Sequence, residues 1–134
     1  MHIAYLGLGS NLGDRRRVMS ETIERINELI GDVLSRSAFY ETDPWGFVSD
    51  NTFLNAAVCV NTALSPFQLL EATQDIEREM GRTTKSEAGV YHDRVIDIDI
   101  LLYDDISHNE PDLVIPHPHM QEREFVMIPL REIM

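Results

Sequence analysis

Asp97 and Asp99 are the residues whose types and spacing point most directly to chemistry. They alternate along the chain with four aliphatic residues, Ile96, Ile98, Ile100 and Leu102. Because side chains alternate across a strand, we expect the aliphatic residues to face the core and both carboxylates to face the other side, with Cα atoms roughly 6.5–7 Å apart. Carboxylates this close repel each other. Mg²⁺, which binds one or two carboxylates plus substrate phosphates, would relieve that repulsion.

The solvated polar face of an ordinary amphipathic strand explains the same alternation about equally well. Arg94, three residues before Asp97, places a cation near the carboxylates. Together with the flanking aliphatic residues, this arginine favours a divalent-metal site.

Two further motifs are weaker signals. Residues 7–13 contain Gly7, Gly9 and Gly13 but lack both the Gly-Lys-Ser/Thr ending of a P-loop and the GxGxxG spacing of a dinucleotide turn. We therefore expect a turn-rich connection from strand to helix, with close backbone approach. His117 and His119 have no second His or Cys pair at zinc-site spacing, so we expect one of them to donate a hydrogen bond to an anionic ligand.

Composition and charge limit the class of protein. With 134 residues and 43% hydrophobic residues, the chain can form one core, and we expect a single domain over residues 1–134. The net charge of −12 would repel DNA or RNA, and Arg15-Arg16-Arg17, at the expected start of a helix, is the only basic cluster. A small phosphorylated ligand remains possible if metal ions and a few arginines reverse the local charge.

Location is predicted from what the sequence lacks. No run of 18 apolar residues suggests a membrane span, and the N-terminus has no basic region typical of a signal peptide. Cys59 is the single cysteine, which excludes an internal disulfide and favours a reducing cytoplasm. We expect a cytoplasmic protein with no nucleic-acid or membrane partner and no obligate protein partner.

The order of predicted elements is β-α-β-β-α-β. The strands cover residues 3–8, 33–42, 53–62 and 95–103, and the helices run from about Asp14 to Gly31 and from Ser65 to Gly81. Ser65, Pro66 and Gln68 form a capping box with proline at the first helical position. This order predicts an α+β fold of ferredoxin-like type, an antiparallel sheet with both helices on one face. Residues 104–134 are expected to wrap a sheet edge, with a short helix near Gln121.

Six stretches in a fixed order carry a resemblance to a known family. The chain resembles the 6-hydroxymethyl-7,8-dihydropterin pyrophosphokinases of folate biosynthesis. The matching stretches are LGSNLG at 8–13, FYETDPWG at 39–46, FLNAA at 53–57, QDIE with GR at 74–82, RVIDID at 94–99, and residues 116–130.

The resemblance implies transfer of pyrophosphate from ATP, the co-substrate, to the pterin hydroxymethyl oxygen, with release of AMP. It implies that Asp97 and Asp99 hold two Mg²⁺ ions bridging the triphosphate, and that Arg82 and Arg94 stabilise phosphate charge as further catalytic residues. His117 and Arg123 would contact ATP phosphates. Three residues would surround the nucleoside: Gln74, Glu77 and Ile100.

The pterin slot implied by the resemblance draws on several segments. It would contain Thr42, Pro44, Trp45, Phe53, Asn55, Tyr91 and Phe125, with Phe125 stacking and Tyr91 closing over the ligand. Asn55 suits this role because its amide both donates and accepts hydrogen bonds, as a pterin edge requires. Segments 43–52 and 82–93 are expected to act as lids.

The sequence departs from the family pattern at positions that carry basic or hydroxyl residues in many members. They are Thr84, Asp112 and Val114, and further departures are Tyr91, Asp93 and Pro118. Fewer cations around the triphosphate predict weaker ATP binding with activity retained.

Two alternatives have the same fold. A non-catalytic module that binds a small anion is disfavoured because Asp97 and Asp99 would repel an anion without metal. An RNA-binding sheet is disfavoured by the charge of −12 and by the lack of aromatic pairs on the inner strands.

Overall fold

The computed structural model describes residues 1–11, 13–42, 52–81 and 95–134. Its elements in chain order are β1 (His2–Ser10), α1 (Arg15–Leu29), β2 (Gly31–Arg36), β3 (Tyr40–Thr42), β4 (Phe53–Thr62), α2 (Pro66–Glu79), β5 (Asp97–Tyr103), β6 (His108–Glu110), β7 (Leu113–Ile115), a 3-10 helix (Met120–Glu122) and α3 (Glu124–Ile133). Among these residues, no helix is both long enough and apolar enough to cross a membrane.

The main sheet confirms the predicted ferredoxin-like α+β class. Its strand order is β2-β4-β1-β5, with β3 pairing β4 beside β2, and every pairing is antiparallel. Strand β1 lies in the interior and pairs with β4 over residues 2–10 and with β5 over residues 4–9. Segments distant in sequence therefore meet across β1.

The two long helices begin where their capping residues predict. The Asp14 side chain accepts from the Arg17 amide at the start of α1, and Ser65 and Gln68 form both halves of the capping box of α2. Between these helices and the sheet lies the larger core cluster, which includes the fully buried Leu6, Ile26, Val58, Leu69 and Ile76. Each such side chain contributes roughly 1.5–3 kcal/mol by leaving water.

The second face of the sheet is covered in part by α3, which the sequence did not predict. Tail residues 104–134 form the β6–β7 hairpin, the expected short helix near Gln121, and then α3. A second apolar cluster joins α3 to the sheet through Ala57, Leu101, Met120, Val126 and Leu130. The helix packs here because its apolar side chains fall on one face, and because Ala57 is small enough for close approach.

Strand β5 contains a bulge that makes the prediction for Leu102 wrong. The register with β1 shifts between Tyr5 and Leu6, so Leu102 pairs with Tyr5 while Ile100 pairs with Leu6. Leu101 and Leu102 consequently both belong to the second cluster, and the core face resumes at Tyr103. The predicted placement of Ile96, Ile98 and Ile100 in the main core is confirmed.

The predicted strand 33–42 is two strands. β2 and β3 both pair with β4, and residues 37–39 interrupt them. In the interruption the Ser37 amide donates to the Ala57 carbonyl at 2.9 Å and the Ala57 amide donates to Ser37 Oγ at 2.9 Å. A serine side chain thus replaces one backbone partner at this interruption.

Candidate active site

Asp97 and Asp99 lie on the sheet face opposite α1 and α2. Both are partly exposed, whereas Ile98 and Ile100 between and beyond them are buried in the main core. The predicted alternation of carboxylates and aliphatic residues is therefore present in this part of β5. Residues paired directly across antiparallel strands share a face, and the partners of Asp97 and Asp99 in β1 are Gly9 and Gly7.

The two glycines belong to β1 itself, so the prediction that they mark a turn is wrong for Gly7 and Gly9. Gly13, with φ of +70°, does occupy the turn before α1. A Cβ at position 9 would lie 3.2 Å from Asn55 Oδ1 and 3.5 Å from the Phe53 ring. Glycine at this position therefore lets the Asn55 and Phe53 side chains pack over the backbone of β1. We call the face of β1 between the carboxylates and strand β4 the groove.

Asn55, Thr42 and Phe53 line the other side of this groove. Asn55 pairs with Gly9, and Thr42 pairs with Phe53 at the end of the β3–β4 ladder. The Asn55 amide nitrogen donates to Thr42 Oγ1 at 2.6 Å, and Asn55 is only 4% exposed. The strand spacing of about 4.8 Å puts the Asn55 and Asp97 backbones roughly 10 Å apart across Gly9. The groove is therefore flanked by carboxylates on one side and an oriented amide on the other.

Two residues outside the sheet form hydrogen bonds to the outer edge of β5. Glu77 on α2 is buried, and its Oε2 accepts from the Ile98 amide at 2.8 Å. The His117 amide donates to the Leu101 carbonyl at 3.1 Å. These bonds fix the segment that carries both aspartates, because Ile98 stands between them.

His117 has an unusual electrostatic environment. Burial lowers its pKa below the usual range, and Arg123 and His119 lower it further, whereas Asp97 opposes the shift. The ring is therefore neutral at pH 7. Its Nδ1 accepts a long bond of 3.4 Å from the His119 amide, which leaves Nε2 to carry the proton and act as donor.

An open cleft of about 250 Å³ runs beside the outer edge of β5. Its walls come from β5, α2, the β6–β7 hairpin and the segment after β7, with Asp99, Ile100, Asp112 and His117 among the lining residues. The structure thus brings three predicted site residues, Asp99, Ile100 and His117, to one cleft.

Other predicted residues lie elsewhere or outside the described chain. Gln74 is exposed on α2 and is not among the cleft's lining residues. The Arg123 guanidinium lies 5.9 Å from the centre of the Phe125 ring, and Arg123 itself is buried. The remaining predicted residues and segments fall outside the described residues. They are Arg82, Arg94, Pro44, Trp45 and Tyr91, the departures at Thr84 and Asp93, and both expected lids apart from residue 52.

The donor set of β5 fits Mg²⁺ rather than a transition metal. Within residues 1–11, 13–42, 52–81 and 95–134, no group of three or more His, Cys, Asp or Glu side chains is placed to hold a metal ion alone. Mg²⁺ characteristically takes one or two carboxylates and completes its shell with water and substrate phosphates. Two carboxylates on one strand face satisfy that requirement.

Sequence reasoning missed the structural role of Gly7 and Gly9. Their spacing of two places both on one face of a strand, the same face as the aspartates once β1 and β5 are paired. The available signal was the match between this spacing and that of Asp97 and Asp99, but using it required the register.

Comparison with known proteins identifies the family. A family model described as 7,8-dihydro-6-hydroxymethylpterin-pyrophosphokinase (HPPK) matches residues 5–134. The chain is 52% identical to the 2-amino-4-hydroxy-6-hydroxymethyldihydropteridine pyrophosphokinase of Porphyromonas gingivalis, over 99% of this chain and 91% of that protein. It is 43% identical to the protein of the same name from Bacillus subtilis, over 98% of this chain and 78% of the relative.

Solved structures support the fold. A chain described as HPPK-DHPS, crystallised in complex with substrates, is similar with a TM-score of 0.76 over 98% of this chain and 40% of that chain. The sequence identity is 18%, so this likeness concerns the fold alone.

The fold and the groove define a ferredoxin-like α+β protein with two strand carboxylates on the sheet face opposite α1 and α2. The family model covers residues 5–134, and the curated relatives reach 52% identity, so the assignment is more specific than a shared fold. The chain belongs to the 7,8-dihydro-6-hydroxymethylpterin-pyrophosphokinase family. The predicted resemblance and the enzyme class are confirmed.

Proposed function

We propose that this protein transfers pyrophosphate from ATP to 6-hydroxymethyl-7,8-dihydropterin. The pterin hydroxymethyl oxygen forms a bond to the β-phosphorus of ATP and loses its proton. The bond between that phosphorus and the oxygen leading to the α-phosphate breaks, which releases AMP and leaves the pterin diphosphate. Cys59, the sole cysteine and a buried free thiol, supports a cytoplasmic location for the reaction.

The observation that carries this proposal is the pairing of Asp97 and Asp99 with Gly9 and Gly7. It places two partly exposed carboxylates on the sheet face that also holds Asn55, in a protein with a net charge of −12. Carboxylates in that setting would repel a triphosphate unless cations lay between them. We assign two Mg²⁺ ions to Asp97 and Asp99, and when bound they neutralise the triphosphate and polarise the attacked phosphorus.

The protein's own residues position ATP. We assign the cleft beside β5 to the nucleotide, with Ile100 offering an apolar wall and His117 donating through Nε2 to a phosphate oxygen. Glu77 keeps the Ile98 amide, and with it both aspartates, in place. From the family resemblance we further assign Gln74 to the nucleoside, and Arg82, Arg94 and Arg123 to the phosphates.

The groove on the β4 side of β1 is assigned to the pterin. Asn55 can present its carbonyl oxygen to a pterin donor because Thr42 holds its amino group. Phe53 supplies an apolar surface beside it, and the family resemblance adds Pro44, Trp45, Tyr91 and Phe125. The two substrates would then meet beside Gly9, next to the carboxylates. This preorganised position is the main source of catalysis that we assign to the protein.

The test is nucleotide analysis after incubation with Mg²⁺, ATP and 6-hydroxymethyl-7,8-dihydropterin. We expect AMP and pterin diphosphate in equal amounts, and no product when EDTA is added. Formation of ADP, or turnover that survives EDTA, would contradict the proposed reaction.

Asp97→Ala locates the metal site within this reaction. We expect turnover to fall by at least about 10³-fold, since metal and phosphate electrostatics supply most of the rate enhancement in phosphoryl transfer. Removal of one of two neighbouring carboxylates should leave the apo fold intact or slightly more stable. Asp32→Ala is the matched control, because Asp32 is an exposed strand aspartate of the same sheet paired with Asn61. Equal activity of the two variants would show that the metal role is misplaced.

A further inference from the structure

The basic cluster Arg15-Arg16-Arg17 stands where cations are disfavoured. The three arginines form the first turn of α1, which contains no acidic residue, and the start of a helix carries partial positive charge. Arg17 bonds Glu21 at 2.9 Å within the helix, and the Arg16 guanidinium lies 6.0 Å from the centre of the Phe39 ring. Arg15 instead reaches out of its helix to β3 and to the residue that precedes β4.

Arg15 bonds both β3 and the residue that precedes β4. Its Nη2 donates to Glu41 Oε1 at 2.8 Å, and its Nη1 donates to the Thr52 carbonyl at 3.0 Å and to Thr52 Oγ1 at 2.9 Å. Thr52 Oγ1 in turn donates to Glu41 Oε1 at 3.0 Å. The three residues form a closed network, and 29% of the Arg15 side chain is exposed.

This network differs from an ordinary surface ion pair. A single exposed pair of opposite charges contributes little, but a partly buried guanidinium with three acceptors on two segments restricts both. Hydrogen bonds from Arg15 and Thr52 lower the pKa of Glu41 below its usual range, so the carboxylate remains charged at neutral pH.

Two members of the network are sequence neighbours of residues that line the groove. Glu41 immediately precedes Thr42, and Thr52 immediately precedes Phe53. Thr42 and Phe53 are direct partners in the β3–β4 ladder, which is only three residues long on the β3 side. Because Thr42 also holds the Asn55 amide at 2.6 Å, a displacement of Glu41 or Thr52 would reach Asn55 through one hydrogen bond.

We propose that Arg15 is a positioning residue for the pterin substrate: it fixes Glu41 and Thr52, and through them Thr42, Phe53 and Asn55. This inference rests on the proposed function for the identity of the ligand. Arg15 itself contacts neither substrate in this scheme. Its loss should therefore act on pterin binding and leave ATP binding unchanged.

The test compares Arg15→Met with Arg17→Met. Both variants keep an apolar stem and remove one guanidinium from the same helical turn, but Arg17 bonds only Glu21 among the bonds described above. We measure KM for pterin and for ATP, and the binding of pterin in the presence of a non-hydrolysable ATP analogue. Arg15→Met should raise KM and Kd for pterin about tenfold, since charge-assisted hydrogen bonds are being lost, with KM for ATP within about twofold. Arg17→Met should change neither.

Two more variants separate positioning from general stability. Arg15→Lys retains the charge without the fork of donors, so it should recover part of the pterin affinity. Glu41→Gln should weaken pterin binding less than Arg15→Met and add little to it in the double variant, because both act through one network. If Arg15→Met does not fold, Glu41→Gln alone tests the network through its effect on pterin binding.

Each outcome has a distinct meaning. A rise in both KM values, or a lower unfolding temperature with unchanged KM for pterin, would overturn the positioning role. Absence of AMP formation by the unsubstituted protein would instead overturn the proposed function.

Discussion

Asn55 places a buried side-chain amide at the groove. Its Nδ2 donates to Thr42 Oγ1, and a Cβ on Gly9 would lie 3.2 Å from its Oδ1. The amide is therefore held from one side by a hydroxyl and given room on the other by a glycine. A buried amide with an unmet hydrogen bond is costly, so Thr42 contributes to stability as well as to orientation.

Thr42→Val tests this double role. Valine keeps the shape of threonine but removes the acceptor for the Asn55 amide. We expect a loss of about 1–3 kcal/mol in the free energy of unfolding, together with a raised KM for pterin. Thr73→Val is the control, because Thr73 is a buried threonine on α2 whose hydroxyl donates to the Leu70 carbonyl at 2.8 Å. That control should lose stability with KM for pterin unchanged, and an equal KM in the two variants would contradict the orienting role of Thr42.

The placement of single residues was predictable where neighbouring residues form a pattern. The alternation of Asp97 and Asp99 with isoleucines is visible in five consecutive positions, so the shared face of the carboxylates was predicted correctly. Arg15 could not be assigned in this way, because its partners Glu41 and Thr52 are 26 and 37 positions away. Only the fold brings them together.

At the scale of elements, β5 departs from regular alternation after Leu101. Leu101 is fully buried in the cluster under α3, and the next residue, Leu102, is only partly buried on the same face. Regular alternation places Leu101 on the same face as Asp97 and Asp99, and the bulge adds Leu102 to that face before Tyr103 returns to the main core. One strand thus serves both the candidate site and the second core.

Leu101→Ala should therefore be far more destabilising than Leu102→Ala. Deleting a fully buried leucine side chain costs roughly 2–5 kcal/mol, and a partly buried one costs less. Urea unfolding of the two variants, compared at equal m-values, measures the difference. If Leu102→Ala proved the more destabilising change, regular alternation would hold and the bulge would be wrong.

Elements with local signals were predicted well. Strand 53–62 and the helix that begins after Ser65 were found because alternation and capping are read from neighbouring residues. The break between β2 and β3 was missed because it depends on Ser37 bonding Ala57, twenty positions away in the partner strand. The helical run of α3 was missed because Pro129 lies inside it, and proline there disfavours a helix on sequence grounds.

For the molecule as a whole, Asp104 joins the start of β1 to the end of β5. Its Oδ1 accepts from the Ile3 amide at 2.7 Å, and its Oδ2 lies 2.7 Å from His2 Nδ1. Its φ of +46° is a left-handed conformation that Asp and Asn tolerate better than most residues. The backbone hydrogen bond from Ile3, followed by the bond from His2, lowers the pKa of Asp104 below its usual range.

This shift predicts how stability depends on pH. A carboxyl whose folded pKa lies below its unfolded pKa stabilises the fold above the unfolded value, and that contribution is lost as pH falls through the folded value. Below about pH 4, the unsubstituted protein should therefore lose stability more steeply than Asp104→Asn. Denaturant unfolding between about pH 3 and 7 measures the slopes, with Asp105→Asn as the control at the neighbouring position. Parallel curves for the Asp104→Asn variant and the unsubstituted protein would contradict the role of this carboxylate.

The register of β1 has a consequence for misfolding. A slip of β1 by one residue would turn Leu6 and Leu8 toward the candidate site and send Gly7 and Gly9 into the main core. The register of Gly7 and Gly9 aligns Asn55 of β4 with Asp97 and Asp99 of β5, although these two strands are far apart in the sequence. A misaligned sheet would lose both halves of the chemistry together, so folding errors should yield inert molecules rather than ones that bind a single substrate and stall.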